Sequence, residues 1–540
     1  MKAPYSRTFF DLLLEQSERH AQLPCYVSST EHYSYAALYE RAALVAARLQ
    51  TLGMRRGDRI GLLAQNQIEW LEIFFGAAAL GATVVPFSTW STTRELEFLV
   101  QDSQISVLFM IDSISERSFV QALEHIYAAN AGASLKHVYV INADGMADGK
   151  DTNSLWPSYA KFLDIEAAFD DLPPGVGPSA TDTAVVLYTS GSSAKPKSVP
   201  LTHAHALENA FNIGERLGLT SSDRVLVPVP LFWSYGAINA LPAIFSHGAC
   251  LVTQRQFRPQ EALALIEEHQ CTALYTLPAI TNALLGASEF SPARTQSLRT
   301  GVTIGTPQDL RRAATELGAA QICNIYGSTE TYGNCAVTWH HWPLEQRALC
   351  QGPALPGVEL RSVAPETGEV CAPDVVGDLE VRGYLTPGYG GASAVYNAVT
   401  FRDDGFFRTG DLASINAQGH VTYAGRSSEM IKRSGINVAP AEIEEVLQEL
   451  PLVGLVGVTG IADAHLGEAI VAFVLRRSDA AVSDAQLQTL CRAHCAERLS
   501  KYKLPDQILM CDALPLTPTG KLLRKGLKQL LPSDNNTQND

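Results

Sequence analysis

From Arg59 the chain alternates between two periods. Short apolar runs are followed by longer segments whose apolar residues recur at helical spacing. RIGLLAQN (59–66) predicts a strand, IEWLEIFFGAAALG (68–81) a helix and TVVPFS (83–88) a strand. TRELEFLVQDS (93–103) predicts a helix, and SVLFMID (106–112) and HVYVIN (137–142) predict strands. Residues 143–180 are rich in loop-forming types, ending DLPPGVGPSA. The alternation then resumes, with helices expected at 203–217, 235–247, 259–269, 278–287 and 307–317. Strands are expected at 224–229, 249–253, 272–276, 299–304 and 320–326. Strands separated by helical segments imply parallel, doubly wound sheets. Two such runs imply two α/β halves, about 1–180 and 181–348, with a crevice between them.

The texture changes near residue 349. QGPALPGVELRSV, GDLEVRG and HVTYAGR read as short strands with Gly/Pro turns, a small β subdomain over about 349–426. Beyond Arg426 it changes again. Ala439–Leu450 reads as a helix with acids in its first turn, LVGLVGVTG and EAIVAFVLRR as strands, and Asp484–Leu499 as a helix. The expectation is an α/β protein with a large N-terminal domain (1–426), a small α+β C-terminal domain (427–531) and a polar, disordered tail (532–540).

One junction between strand and helix is unusual. Ala184–Val185–Val186–Leu187 is a buried-strand pattern, and Thr202 is placed to cap a helix starting near His203. Between them lies YTSGSSAKPKSVPLTH (188–203). A strand that empties into a hydroxyl-rich, Gly-containing loop and then a helix can cradle phosphate through backbone N–H groups and hydroxyls. Lys195 and Lys197 add positive charge. It is not a Walker A loop, because no Gly-Lys-Ser/Thr follows at the required spacing. A Ser/Gly-rich surface loop is the competing reading.

Composition narrows the partners. Over 540 residues, 41 Lys+Arg against 56 Asp+Glu give a net charge of −15. That disfavours nucleic acid as the main partner, since binding it requires a basic surface. A hydrophobic content of 46% and a charged content of 18% fit a globular enzyme. Ten cysteines lie without a CxxC pair, and several, such as Cys250 and Cys323, sit in apolar runs as buried thiols. Cys491 and Cys495 are one helical turn apart but lack the His partners of a zinc site. A reducing, cytoplasmic compartment fits this usage. Asp11 and Glu15 interrupt the first apolar stretch, unlike a signal peptide. The run Ile73–Phe87 is broken by Gly81, Thr83 and Pro86, too short for a transmembrane segment.

Four further blocks carry candidate chemistry. YGSTETYG (326–333) places Glu330 beside Thr329 after a strand, where a carboxylate can hold Mg²⁺. FRTGDLA (407–413) places Asp411 in a Gly turn; such an Asp bonds its own backbone or accepts two sugar hydroxyls. GRSSEMIKRSGINVAPAEIEEVL (425–447) crosses into the last domain as a linker or a hinge. PLTPTGKLLRK (515–525) places Lys521 after a Pro/Gly turn.

Each block is weak alone. Together, in this order, TSGSSAKPKSV, YGSTE, TGD, GR…IKRSG…EIE and PTGK give a chain that resembles the adenylate-forming (AMP-binding) superfamily. That superfamily contains acyl- and aryl-CoA synthetases, peptide-synthetase adenylation domains and luciferases. The resemblance covers nearly the whole chain. It implies two-step chemistry with Mg²⁺, ATP and coenzyme A. A carboxylic acid attacks the α-phosphate of ATP to give an acyl-adenylate and pyrophosphate. The thiol of CoA then displaces AMP. It also implies a small C-terminal domain that changes position between the steps.

The resemblance further implies residue roles. Thr189, Ser190, Gly191, Ser192, Ser193 and Lys197 look like the β,γ-phosphate loop. Thr329 looks like an α-phosphate contact and Glu330 like the Mg²⁺ ligand. Asp411 looks like the ribose acceptor, with Arg426 beside it. Lys521 looks like the adenylation lysine. Gly305, Thr306 and Pro307 resemble the segment packed on adenine, with Asn324, Ile325 and Tyr326 bordering the base. Lys432 falls in the hinge-side block, and Gly435 resembles the glycine beside the pantetheine tunnel. Trp233, Tyr235, Gly236, Ile304, Tyr332 and Gly333 are the candidate acid pocket, its aromatics either a wall for an apolar acid or core residues.

The chain departs from the family pattern at several points. Ala194 and Ser198 stand where glycines are usual, and an Ala at positive φ costs roughly 1 kcal/mol. Ser428 stands at the usual Asp/Lys hinge position, Trp233 replaces a frequent His, and Ile304 replaces a frequent Gly and narrows the pocket. Only 19 residues follow Lys521, so a fused carrier domain is not expected. The leading expectation is a carboxylate–CoA ligase, monomeric or homodimeric. Loading of a separate acyl-carrier protein and a non-catalytic nucleotide-binding homologue are the alternatives. A luciferase-type oxidation is less favoured.

Overall fold

A computed structural model describes residues 8–128, 132–141, 155–166, 177–189, 196–305, 307–365, 367–426, 431–438, 440–477, 482–515, 522 and 524–531. The chain forms two compact units. The larger comprises Met1–Thr89, Glu97–Tyr188 and Ser198–Gly425. The smaller comprises Trp90–Leu96, Thr189–Lys197 and Arg426–Asp540.

The larger unit holds two predominantly parallel sheets. One has six strands in the order Lys197–Thr202, Thr183–Thr189, Thr83–Pro86, Arg59–Leu63, Val107–Ile111 and His137–Ile141. The other has eight, in the order Ala336–Val337, Cys323–Tyr326, Thr300–Thr303, Ala273–Tyr275, Arg224–Leu226, Cys250–Val252, Pro24–Val27 and His32–Ser34. The sheets do not divide at residue 180 as chain order suggests. Strand Thr183–Thr189 pairs in parallel with Thr83–Pro86, completing the first sheet. The N-terminal strand Pro24–Val27 pairs in parallel with Cys250–Val252, completing the second. Both exchanges are non-local pairings, which hydrophobic periodicity does not encode.

Central strands are apolar on both faces because helices cover both sides. Val107–Ile111 is buried at every position. Helix Ile68–Ala79 is buried at every position but Glu69, and Glu72 is among the buried residues. That carboxylate is stabilised by Arg41, whose Nε donates at 2.7 Å, and by the Tyr159 hydroxyl at 2.8 Å. A buried charge requires such partners. The apolar stretch 73–87 thus divides into a core helix and a core strand. No helix among the described residues is long and apolar enough to cross a membrane.

The β subdomain is a five-stranded sheet in the order Gly352–Pro353, His420–Arg426, Phe407–Ile415, Gly377–Arg382 and Glu359–Val363. Gly377–Arg382 pairs antiparallel with both of its neighbours, and Gly352–Pro353 pairs antiparallel with His420–Arg426.

In the smaller unit, Val453–Asp463 and Gly467–Arg476 pair antiparallel, and Gln507–Cys511 pairs in parallel with the latter. Helices Pro440–Gln448 and Asp484–Arg498 contribute to one core with Ile443, Leu447, Leu487, Cys491 and Cys495. Cys491 and Cys495 are therefore core residues. Cys250 and Cys323 are buried as well, and burial pushes both thiols up to about 12. No cluster of metal-ligating side chains occurs among the described residues.

Candidate active site

Thr329 and Glu330 lie on a 3-10 turn, Thr329–Thr331, just beyond strand Cys323–Tyr326. Parallel sheets place ligands at such C-terminal strand ends. The turn is held from its own ends. Ser328 N–H donates to Thr331 Oγ1 at 2.9 Å, and Gly333 N–H donates to Ser328 O at 2.9 Å. Tyr332 has φ +56, a conformation that side chains rarely adopt. It is fully buried, and the Thr202 N–H donates to its hydroxyl at 2.9 Å. The Thr202 side chain makes no helix-capping bond; its Oγ1 lies 3.0 Å from the same hydroxyl. Tyr332 therefore joins the turn to the start of helix His203–Leu217.

Thr329 Oγ1 donates to Ser234 Oγ at 3.0 Å. Glu330 Oε1 accepts the Tyr389 hydroxyl at 2.9 Å, and Glu330 O accepts Thr386 N–H at 2.8 Å. Sequence reasoning did not find Ser234 or Tyr389. Tyr389 is 59 positions from Glu330, beyond any local pattern.

Asp411 reaches the same strand from the β subdomain. It is 5% exposed and its Oδ2 accepts the Tyr326 hydroxyl at 2.8 Å. Its own N–H donates to Thr409 Oγ1 at 3.0 Å. Burial holds Tyr326 well above the usual phenol range, so it remains a donor. The Tyr326 ring stacks on Tyr423 with centroids 5.9 Å apart. Asn324 is turned to the backbone instead. Its Nδ2 donates to Arg347 O at 3.1 Å and its Oδ1 accepts Ile325 N–H at 3.0 Å. The Asn324 side chain is thereby committed to holding the fold, and Ile325 is buried beside it.

The segment expected to be one helix over 235–247 is divided. Tyr235–Ala240 is a π-helical turn, followed by the α-helix Leu241–Ser246. π-turns concentrate at functional sites. The Tyr235 hydroxyl donates toward Thr276 O and Val302 O at 3.3 and 3.2 Å. Gly236 has no room for a side chain, since a Cβ would lie 2.4 Å from Pro230 O. Trp233 and Ile304 are half-buried. Gly305 has φ +133, and Pro307 opens helix Pro307–Thr315, where a missing N–H is tolerated.

Thr189 ends strand Thr183–Thr189, and Lys197 opens strand Lys197–Thr202. Ser198 is an ordinary strand residue, 2% exposed. In the smaller unit, the crossing block is a two-residue hairpin rather than a plain linker. Ile431–Arg433 and Ile436–Val438 pair antiparallel across Ser434 (φ +49) and Gly435 (φ +81). Two consecutive positive φ values are the type I′ signature. Lys432 is exposed on that hairpin. Ser190, Gly191, Ser192, Ser193, Ala194, Lys195, Thr306, Ser428, Lys521, the tail and the Arg426 side chain lie outside the described residues.

Residues 13–389 match the family described as AMP-binding enzyme, and residues 442–521 match its C-terminal domain. The chain belongs to the AMP-binding enzyme family. Indoleacetate–CoA ligase of Aromatoleum aromaticum is 31% identical over 509 residues, covering 92% of this chain and 93% of that protein. Acyl-CoA ligase SID4 of Ajellomyces capsulatus is 29% identical over 552 residues, covering 98% and 92%. Among solved structures, o-succinylbenzoate CoA synthetase of Bacillus subtilis superposes with a TM-score of 0.80 at 25% identity, covering 96% and 98%. Within the AMP-binding family the chain is of the acyl-CoA synthetase type, with the family's large N-terminal and small C-terminal domains.

Proposed function

We infer that this AMP-binding protein is a carboxylate–CoA ligase that forms AMP. The observation that carries the reading is the convergence of two carboxylates on one strand end. Glu330 follows strand Cys323–Tyr326, and Asp411 is hydrogen-bonded to the last residue of that strand.

A carboxylate is a poor electrophile and needs a better leaving group. Attack of its oxygen on the α-phosphorus of ATP supplies one and releases pyrophosphate. The CoA thiolate then adds to the carbonyl, and AMP departs with its C–O bond broken. Thr329 is assigned to an α-phosphate oxygen, which would replace Ser234 Oγ as the acceptor of its single hydroxyl proton. Asp411, with one oxygen fixed by Tyr326, is assigned to the ribose hydroxyls. Thr189 and Lys197, at the two described edges of the loop, are assigned to the β- and γ-phosphates, and Lys521 to the bridge between acid and α-phosphate. Gly305 and Pro307 are assigned to adenine, and Gly435 to the pantetheine arm. Trp233, Tyr235, Gly236, Ile304 and Gly333 are assigned to the acid.

Glu330 fits Mg²⁺: a single hard carboxylate suits an ion that takes its remaining ligands from substrate phosphates and water. Bound there, the ion would neutralise phosphate charge.

The test is an ATP-dependent screen of aliphatic, alicyclic and aryl acids, with and without CoA, with products identified by mass. A thioester formed only when CoA is present supports the reading. An acyl-adenylate that persists in the presence of CoA refutes it and favours a carrier-protein acceptor.

A further inference from the structure

Residues Thr386–Ser393, TPGYGGAS, follow the β-subdomain strand Gly377–Arg382. Thr386, Tyr389 and Ser393 are 3%, 5% and 5% exposed. Their contacts run to three separate parts of the larger unit.

The first is Glu330. Tyr389 donates its hydroxyl to the carboxylate at 2.9 Å, and Thr386 N–H donates to the Glu330 backbone at 2.8 Å.

The second is strand Lys197–Thr202, which follows segment 190–195. Gly390 N–H donates to Ser198 O at 2.9 Å, Ser198 N–H donates to Ser393 Oγ at 3.2 Å, and Thr386 Oγ1 donates to Pro200 O at 2.6 Å.

The third is Asp102, in the last turn of helix Thr93–Ser103. A carboxylate there opposes the helix dipole. Two donors compensate it: Ala392 N–H at 2.9 Å and the Tyr188 hydroxyl at 2.7 Å. Tyr188 lies in strand Thr183–Thr189, which precedes segment 190–195. Gly391 makes the approach possible. Its φ is +53, and a Cβ would stand 2.5 Å from Asp102 Oδ2.

We propose that Thr386–Ser393 is a strap that fixes both flanks of the phosphate loop and the Glu330 carboxylate in one frame, with Tyr389 and Asp102 as positioning residues for Mg²⁺–ATP. The proposal rests on the functional reading above. Tyr389 restrains the carboxylate assigned to the metal, as outer hydrogen-bond partners restrain metal ligands. Asp102 joins strand Thr183–Thr189 to the strap, and the strap joins strand Lys197–Thr202. Neither residue is assigned a contact with substrate.

The test uses the full chain and calorimetric binding of a non-hydrolysable ATP analogue across a Mg²⁺ titration, with thermal melts as a folding control. For Tyr389→Phe the strap predicts that the Mg²⁺ concentration for half-maximal analogue binding rises about 10- to 100-fold. Asp102→Asn is expected to weaken analogue binding at saturating Mg²⁺. The double variant is expected to lose less than the product of the two single losses, because both act through one strap. Folded variants that bind as the wild type does, or losses that multiply, overturn the strap alone. A wild-type chain that does not bind the analogue overturns the functional reading and the strap with it.

Discussion

Replacing Tyr326 with Phe removes one hydroxyl and leaves the ring. That hydroxyl donates at 2.8 Å to Asp411 Oδ2, a carboxylate only 5% exposed. Hydrogen bonds to ionised groups contribute about 1.5–3 kcal/mol. At 1.4 kcal/mol per factor of ten, the loss corresponds to roughly 10- to 150-fold, divided between folding and nucleotide affinity. Pyrophosphate exchange with ATP as the varied substrate reads the second share, and calorimetric Tm reads the first. The KM for ATP is expected to rise, with kcat changed less, because the bond orients Asp411 in both ground and transition states. Asp411→Asn removes the charge that the hydroxyl serves. Combining the two substitutions is therefore expected to cost less than their sum, with a coupling of about 0.5–3 kcal/mol. An unchanged KM for ATP together with an unchanged Tm, or strictly additive effects, would refute the assignment of Tyr326 as the holder of Asp411.

Three other outcomes follow from individual residues. His203 is fully buried, Phe9 N–H donates to its Nδ1 at 3.2 Å, and burial lowers its pKa to about 4 from an ordinary 6.5. The neutral ring is the folded form, so its contribution is complete above pH 6.5 and is lost as pH falls toward 4, by up to about 3 kcal/mol. Urea midpoints across that window are expected to fall in the wild type and to fall less in His203→Asn; equal slopes contradict this. Gly435→Ala forces a side chain to φ +81 and is expected to cost about 1–2 kcal/mol in hairpin stability. Pyrophosphate exchange should persist in that variant while thioester formation slows, and equal slowing of both steps would count against the role assigned to Gly435. Lys521→Ala is expected to abolish adenylation while CoA still reacts with a supplied acyl-adenylate; undiminished pyrophosphate exchange would remove Lys521 from the mechanism.

The α/β alternation was legible because buried parallel strands and amphipathic helices carry different periods. Strand Val107–Ile111 and helix His203–Leu217 stand within a residue of their expected positions. The partners of those strands were not legible. Pro24–Val27 is too short to announce itself, and nothing local states that it lies beside Cys250–Val252. The same limit applies to the site. Glu330 and Asp411 stand out by residue type and by family resemblance. The groups that hold them, Tyr389 and Tyr326, lie 59 and 85 positions away along the chain. Tyr332 was left open by the sequence for a related reason. A tyrosine beside a catalytic turn reads equally as pocket wall or core, and only the position of Thr202 decides in favour of the core.

The central claim is that the acid's own oxygen attacks the α-phosphorus of ATP. Turnover of an acid labelled with ¹⁸O in both carboxylate oxygens, in the presence of ATP and CoA, tests it directly. The mechanism predicts one labelled oxygen in AMP, one retained in the thioester carbonyl and none in pyrophosphate. Label in inorganic phosphate with ADP as the nucleotide product, or unlabelled AMP, would contradict it.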